Sequence, residues 1–253
     1  MQSPQNLWLY PSVFPLLDDN EVHIWRVCLN QNSFSAGELF KILSSDEQQR
    51  VSRYYFEQDQ KHFTVSRGTL REILGGYLDV LPGKIRFSYN QFGKPTLDAE
   101  KNANRLHFNV SHSHELALYA VARGREVGID VEFINEEFAV LEVAEHFFSP
   151  GEVSALNSLP LNLRNAAFFR YWTRKEAHIK AVGKGLSHLL PDQSAIPPVQ
   201  GKSTTFSITN EFQKTRHWSV LTLAPKPNYT AALAVEGSLP IVRQWKWARN
   251  LVT

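Results

Sequence analysis

The chain has 253 residues, 43% of them hydrophobic and 21% charged, with a formal net charge of +2. That much apolar material supports a sizeable core in one or two domains, and so small a positive balance gives no ground for a nucleic-acid partner. The single cysteine, Cys28, excludes an internal disulfide; with no signal-like start and no stretch near the ~18 apolar residues of a span, a cytoplasmic protein with no membrane association is expected.

Residues 1–20, rich in Pro, Trp and Tyr, read as an ordered lead-in. Val22 to Leu29 alternates as a strand, with Cys28 a small core residue inside it. Ser44 and Glu47 form a capping box that opens a helix. A longer helix is expected from about Asp59 to a stop at Gly75-Gly76, then a turn at Leu81-Pro82-Gly83. Ile85, Phe87 and Tyr89 alternate as a strand, followed by a loop in which Lys94 sits between Gly93 and Pro95. A short strand around Phe108 and Val110 ends at Ser111-His112-Ser113, and Leu116 to Ala122 is another.

The second half repeats this order. A strand at 127–132 precedes helices at about 137–147 and 150–158, the latter opened by Ser149-Pro150-Gly151-Glu152. A long helix is expected from about Leu163 to Val182, stopping at Gly183. A polar, proline-containing loop at 191–203 leads to strands near 204–208, 217–224 and 229–236. Each half reads strand, helices, then three strands, a repetition of element order without residue-level identity. The fold class is α+β: two subdomains, residues 1–125 and 126–253, each with helices on a small, largely antiparallel sheet.

Val127-Gly128-Ile129-Asp130-Val131-Glu132 is the most informative run, although taken alone it reads equally as a solvated strand face with two acids on it. Period two puts Asp130 and Glu132 on one strand face, about 7 Å apart. Adjacent carboxylates need a counter-charge, and Mg²⁺ typically takes one or two of them together with substrate phosphates. On the long helix, Phe169, Trp172, Glu176 and Ile179 share a face, so Glu176 is an acid in an apolar stripe, costly unless paired or bound to a cation. Lys180, four residues on, is an ordinary helix partner for it. Arg50, Arg53, Lys61 and Arg67 load the first-half helices with positive charge. His107, His112 and His114 lack metal-ligand spacing and read as loop histidines or phosphate contacts. Gly183-Lys184-Gly185 lacks the spacing and hydroxyl of a phosphate loop. The residues themselves leave open a metal-dependent hydrolase of a phosphate ester using the same acids.

A series of motifs then narrows the reading. In order they are Phe92-Gly93-Lys94-Pro95, Phe108-Asn109-Val110-Ser111-His112-Ser113, Gly128-Ile129-Asp130-Val131-Glu132, Phe147-Phe148-Ser149-Pro150-Gly151-Glu152, Trp172-Thr173-Arg174-Lys175-Glu176-Ala177-His178-Ile179-Lys180 and Gly183-Lys184-Gly185-Leu186. In this series, spanning about residues 92–186, the chain resembles the surfactin-type (Sfp-type) 4'-phosphopantetheinyl transferases. The resemblance implies two pseudo-twofold-related subdomains with coenzyme A in the cleft between them, acting as a monomer. It implies transfer of the 4'-phosphopantetheine group of coenzyme A to a serine of an apo-acyl or apo-peptidyl carrier protein, releasing adenosine 3',5'-bisphosphate. It makes Asp130, Glu132 and Glu176 the site for Mg²⁺, or Mn²⁺ in its place. Coenzyme A binding then falls to Arg53, Lys94, Pro95, Asn109, Ser111, His112 and Lys180, and catalysis to Glu176 and Lys180, with Glu176 also placed to accept the proton of the incoming serine.

Overall fold

The computed structural model describes residues 8–30, 35–98, 102, 104–185, 203–209 and 215–249. The first half holds β1 (Glu21–Cys28), three helices α1 (Ala36–Lys41), α2 (Ser45–Ser52) and α3 (Glu57–Leu78), a small hairpin β2 (Phe87–Tyr89) and β3 (Pro95–Leu97), then β4 (Leu106–Ser113) and β5 (Leu116–Arg123). The second holds β6 (Val127–Phe133), α4 (Val140–Phe147), α5 (Pro150–Asn157), α6 (Leu161–Val182), β7 (Ser203–Thr209), β8 (Thr215–Leu223), β9 (Tyr229–Glu236) and β10 (Ile241–Lys246). Two four-stranded sheets result, ordered β10-β1-β5-β4 and β6-β9-β8-β7. All pairings are antiparallel except one: β10 runs parallel to β1, so residues 241–246 join the sheet of the first half.

Alternation along the strands sorts side chains into four layers, helix, sheet, sheet and helix. Trp25, Val27, Tyr119 and Val121 meet Leu70, Ile73 and Leu74 of α3. Their neighbours Val22, Ile24, Leu118 and Ala120 point the other way and meet Ile129, Val131, Leu233 and Val235 of the second sheet. The far face of that sheet, with Val220, Ala232 and Ala234, takes Ala177 and Ala181 of α6. The central strands β5 and β9 are therefore apolar on both faces, because each lies between a helix and the opposing sheet.

The elements expected from the sequence are found, with four corrections. The helix expected to stop at Gly75-Gly76 runs on to Leu78 and ends at Asp79, which has φ 54°. Gly76 serves close packing instead: a Cβ there would stand 2.4 Å from the Phe14 ring. The helix expected from 137 begins at Val140, because the Asn165 carboxamide donates to the carbonyls of Asn135, Glu136 and Phe138 and holds them in a turn. The strand expected only around Phe108 and Val110 extends over Leu106–Ser113. Three elements, α1, β3 and β10, were not foreseen, and Pro95, expected in a loop, opens β3. The expected loop lies outside the described residues except for Ser203, which opens β7. Both capping boxes form, and each glutamate also meets a buried cation of the following long helix: Glu47 with Arg71 at 2.7 Å, Glu152 with Lys175 at 2.9 Å.

Candidate active site

Gly128, Asp130 and Glu132 share the face of β6 that looks at α6. Gly128 is what lets the helix lie there: a Cβ would stand 2.0 Å from the Ala177 carbonyl oxygen and 2.4 Å from the Ala181 nitrogen. With the two backbones this close, Glu176 and Lys180, one turn apart on α6, are set over the two acids. Lys180 Nζ donates to Asp130 Oδ1 at 2.6 Å and to Ser111 Oγ at 2.9 Å, and Ser111 Oγ donates to Asp130 Oδ1 at 2.8 Å. Ser113 Oγ donates to Glu132 Oε2 at 2.8 Å.

The electrostatics follow from burial and proximity. Burial, and then the charge of Asp130, push the carboxyls of Glu132 and Glu176 up to about 7. Burial works against the ammonium of Lys180, yet Asp130, Glu176 and Glu132 hold it above its usual range. Asp130 Oδ2 and Glu176 Oε1 are buried without a hydrogen-bond partner. Unpaired buried carboxylate oxygens are costly, and a hard divalent cation takes oxygen ligands of this kind. Among the described residues, no group of three or more His, Cys, Asp and Glu side chains is arranged to hold a metal as it stands. The three acids expected as ligands are thus neighbours, with Lys180 as their counter-charge, and the two orphaned oxygens fit a cation.

Beside this group lies a cavity of about 670 Å³, lined by Tyr54, Gln58, Asp59, His62 and Phe63 from the start of α3 and the turn before it, by His112, His114 and Glu115 from the β4–β5 hairpin, and by Asn30, Phe133 and Tyr229. Residues of both halves contribute. His112 continues the alternation of Phe108 and Val110 beyond the part of β4 that α3 covers, and so faces the cavity. Burial, followed by the charges of Lys180, His62 and Arg50, lowers its basicity. Arg50 lies over the Phe63 ring at 5.0 Å. Arg53 is exposed at the C-cap of α2, next to Tyr54.

Other expected residues are placed elsewhere. Lys94 sits at the C-terminal end of α6, where its Nζ donates to the Ala181 carbonyl at 2.7 Å and to Glu126 Oε2 at 2.9 Å. Burial works against the Glu126 carboxylate, but His107 and Lys94 hold it down at about 2. Pro95 opens β3 opposite Tyr89. Asn109 is buried and its Oδ1 accepts the Ile129 N–H at 2.9 Å. Ser111 is likewise buried and turned to Asp130 and Lys180. Arg67 belongs to the interior, over the Phe87 ring and 3.5 Å from Glu47. The three histidines diverge: His107 pairs with Glu126, His112 faces the cavity, and His114 lies against the Phe133 ring. Sequence reasoning missed Ser113, His62 and Phe63; the period-two row Asn109, Ser111, Ser113 was the available signal for the first.

Comparison with known proteins bears on all of this. The profile of the 4'-phosphopantetheinyl transferase superfamily matches residues 126–234, which include all three acids, and that of 4'-phosphopantetheinyl transferase, N-terminal, matches residues 30–123. The 4'-phosphopantetheinyl transferase HetI of Nostoc sp. (strain PCC 7120 / SAG 25.82 / UTEX 2576) is 42% identical over 234 residues, 92% of this chain and 95% of that protein. The chain belongs to the 4'-phosphopantetheinyl transferase superfamily. The transferase is also similar to gsp of Aneurinibacillus migulanus, 35% identical over 57% of each chain. To Sfp of Bacillus subtilis (strain 168) it is 30% identical over 57% of this chain and 62% of that one. Its class of reaction is phosphopantetheinyl transfer, with carrier proteins as acceptors. Among the described residues, no helix of the transferase is long and apolar enough to cross a membrane.

Proposed function

We propose that the transferase moves the 4'-phosphopantetheine group of coenzyme A to a serine of an apo-acyl or apo-peptidyl carrier protein in a Mg²⁺-dependent reaction, releasing adenosine 3',5'-bisphosphate. The observation that carries this is the carboxylate group between β6 and α6, with unpartnered oxygens on Asp130 and Glu176, at the edge of a cavity large enough for a nucleotide. Asp130, Glu132 and Glu176 hold the metal, with Mn²⁺ an alternative. When bound, the cation supplies positive charge that neutralises pyrophosphate oxygens as the leaving group departs.

The chain's own residues do the rest. Lys180 is the counter-charge of Asp130, and its ammonium would turn to the phosphate oxygens were a cation to take that carboxylate. His112, flanked by His62 and Arg50, faces phosphate from the cavity, and Arg53 is a further contact at its rim. Glu176, whose carboxyl is raised to about 7 and so is partly ionised near neutral pH, is poised to take the proton of the incoming serine. No nucleophile is required of this chain, because the partner brings it. Positioning and charge, rather than covalent chemistry, are what phosphoryl transfer asks of a protein.

Finer points rest on the same reading. The ordered motif series supports the surfactin-type subclass. The repeated element order, and strand orders that match when β1-β5-β4 is set against β6-β9-β8, support a pseudo-twofold relation between residues 1–125 and 126–253. A chain that supplies both halves of the cleft supports a working monomer, and the lone cysteine a reducing cytoplasm. The test is incubation with coenzyme A, Mg²⁺ and several apo-carrier proteins, read by intact mass. The expected result is gain of one phosphopantetheine group, lost on chelation of the metal. No gain on any carrier, with folded enzyme, overturns the proposal.

A further inference from the structure

β6 is an edge strand. Its even residues bond β9 through the ladder that continues at Glu236 N to Glu126 O and Ile134 N to Asn228 O. The N–H groups of Ile129, Val131 and Phe133 therefore point out of that sheet. They are met by side chains. Asn109 Oδ1 accepts from Ile129 at 2.9 Å, Ser111 Oγ from Val131 at 3.4 Å and Ser113 Oγ from Phe133 at 3.1 Å. Three alternate side chains of β4 thus stand in for a missing neighbouring strand.

The two serines do more than satisfy amides. A hydroxyl has one proton to give. Once Ser113 Oγ has accepted the Phe133 N–H, that proton is directed at Glu132 Oε2, 2.8 Å away. Ser111 repeats the arrangement two residues earlier on both strands, with Asp130 in place of Glu132. The partners differ in one respect: Asp130 also has Lys180, whereas the Ser113 hydroxyl is the one hydrogen-bond donor to Glu132 among the described residues. Glu132 lies at the less buried end of β6, where a carboxylate without such a tether has rotamers to choose from.

The geometry points to Ser113 as a positioning residue of the cation site: anchored on the Phe133 amide, it holds Glu132 Oε2 and so leaves Oε1 as the oxygen presented for coordination. This rests on Glu132 being a ligand. Hydrogen-bond partners of metal-ligating groups typically contribute 10–100-fold to metal affinity. The test is a Mn²⁺ titration of the full-length protein with saturating coenzyme A, followed by electron paramagnetic resonance, on wild type, Ser113→Ala, Ser113→Cys, Ser113→Thr and Glu132→Gln. Hydrogen exchange of the segment around Phe133 is measured alongside. Ser113→Ala is expected to weaken Mn²⁺ binding by about tenfold and to speed exchange there. Ser113→Cys, close to serine in size, carries the same expectation should the alanine variant fail to fold. Ser113→Thr, which keeps the hydroxyl, returns both readouts to wild type. Wild-type affinity in the folded Ala or Cys variant, with binding weakened in Glu132→Gln, overturns the role of Ser113 and leaves the metal site standing. Wild-type affinity in Glu132→Gln overturns the metal reading of Glu132, and this inference with it.

Discussion

The two halves put different chemistry in the same layer. Where α3 covers β1, His23 and Trp25 both bond the Tyr77 hydroxyl, at 2.7 and 2.9 Å, and Glu21 pairs with His23 and Arg243. Where α6 covers β6, that layer holds Asp130, Glu132, Glu176 and Lys180, with two oxygens left unpartnered. The helices are of equal length, 22 residues, and carry Arg71-Glu72 and Lys175-Glu176 at the same two positions. Arg71 and Lys175 do the same work, each closing on a capping-box glutamate. The glutamates beside them part ways: Glu72 has a cation of its own in Arg249 at 3.0 Å, and Glu176 has no ion pair among the described residues. In the first interface each acid has a cation of its own, a pairing that serves stability, although Glu72 Oε2 too is buried without a hydrogen-bond partner. The other leaves Glu132 and Glu176 without an ion pair among the described residues, the arrangement on which the proposed metal site rests.

The sharpest break to attempt is in the shared part. Glu47→Ala and Glu152→Ala should each cost about 3–5 kcal/mol, since each takes the carboxylate from a buried cation and removes a cap. Urea denaturation measures both, and near-equal losses are expected. A loss below about 1 kcal/mol in one half only would end the equivalence.

The halves should separate at the neighbouring glutamates. Glu176→Gln is expected to lower kcat for phosphopantetheine transfer by about a hundredfold or more, the scale of general acid–base catalysis, with the thermal midpoint held or raised because an unpaired buried acid is gone. Glu72→Gln should do the reverse, lowering the midpoint and sparing kcat, because it breaks the pair with Arg249. Steady-state kinetics and thermal melts of the two variants decide it. Recovery of Glu176→Gln at high Mg²⁺ would leave that residue a ligand and remove it as base.

A smaller effect separates the halves by pH. Glu132 and Glu176 titrate near 7 in the fold against 4.5 as the ordinary value. Raised acids favour the fold while protonated, so their contribution is full below about 4.5 and is lost as pH rises through 7. A cation needs the ionised forms, so its binding releases protons and strengthens over the same window. Mg²⁺ should therefore raise the melting midpoint more at pH 8 than at pH 5.5. Equal gains at both values would show that these two carboxyls do not take up the metal.

Much of this was legible in the sequence because it is local. Capping boxes, alternation and the Gly183 stop specify elements within a few residues of themselves; period two paired Asp130 with Glu132 and period four paired Glu176 with Lys180, while the motif series, not periodicity, joined the two pairs in one site. What escaped was set by distant partners. Gly75-Gly76 reads as a stop until Phe14 is known to lie against it, and Gly128 reads as a weak point in a strand until α6 is laid across it. The motifs do not show that Lys94 bonds Glu126 and Ala181, or that Asn109 bonds Ile129; only the fold does. Edge pairing is equally invisible locally: Ile241–Lys246 has no signal of its own that names β1 as its neighbour.

That last pairing governs the order of events at the ribosome. β1 emerges well before β10, the strand that covers its outer side. Until residue 246 is made, one edge of β1 stays open, with the hazard of promiscuous strand addition that open edges carry. The N-terminal half cannot complete its sheet as a separate unit during synthesis, and its final closure must wait for the C-terminal half to be translated. A single polypeptide is thereby committed to finishing both halves together.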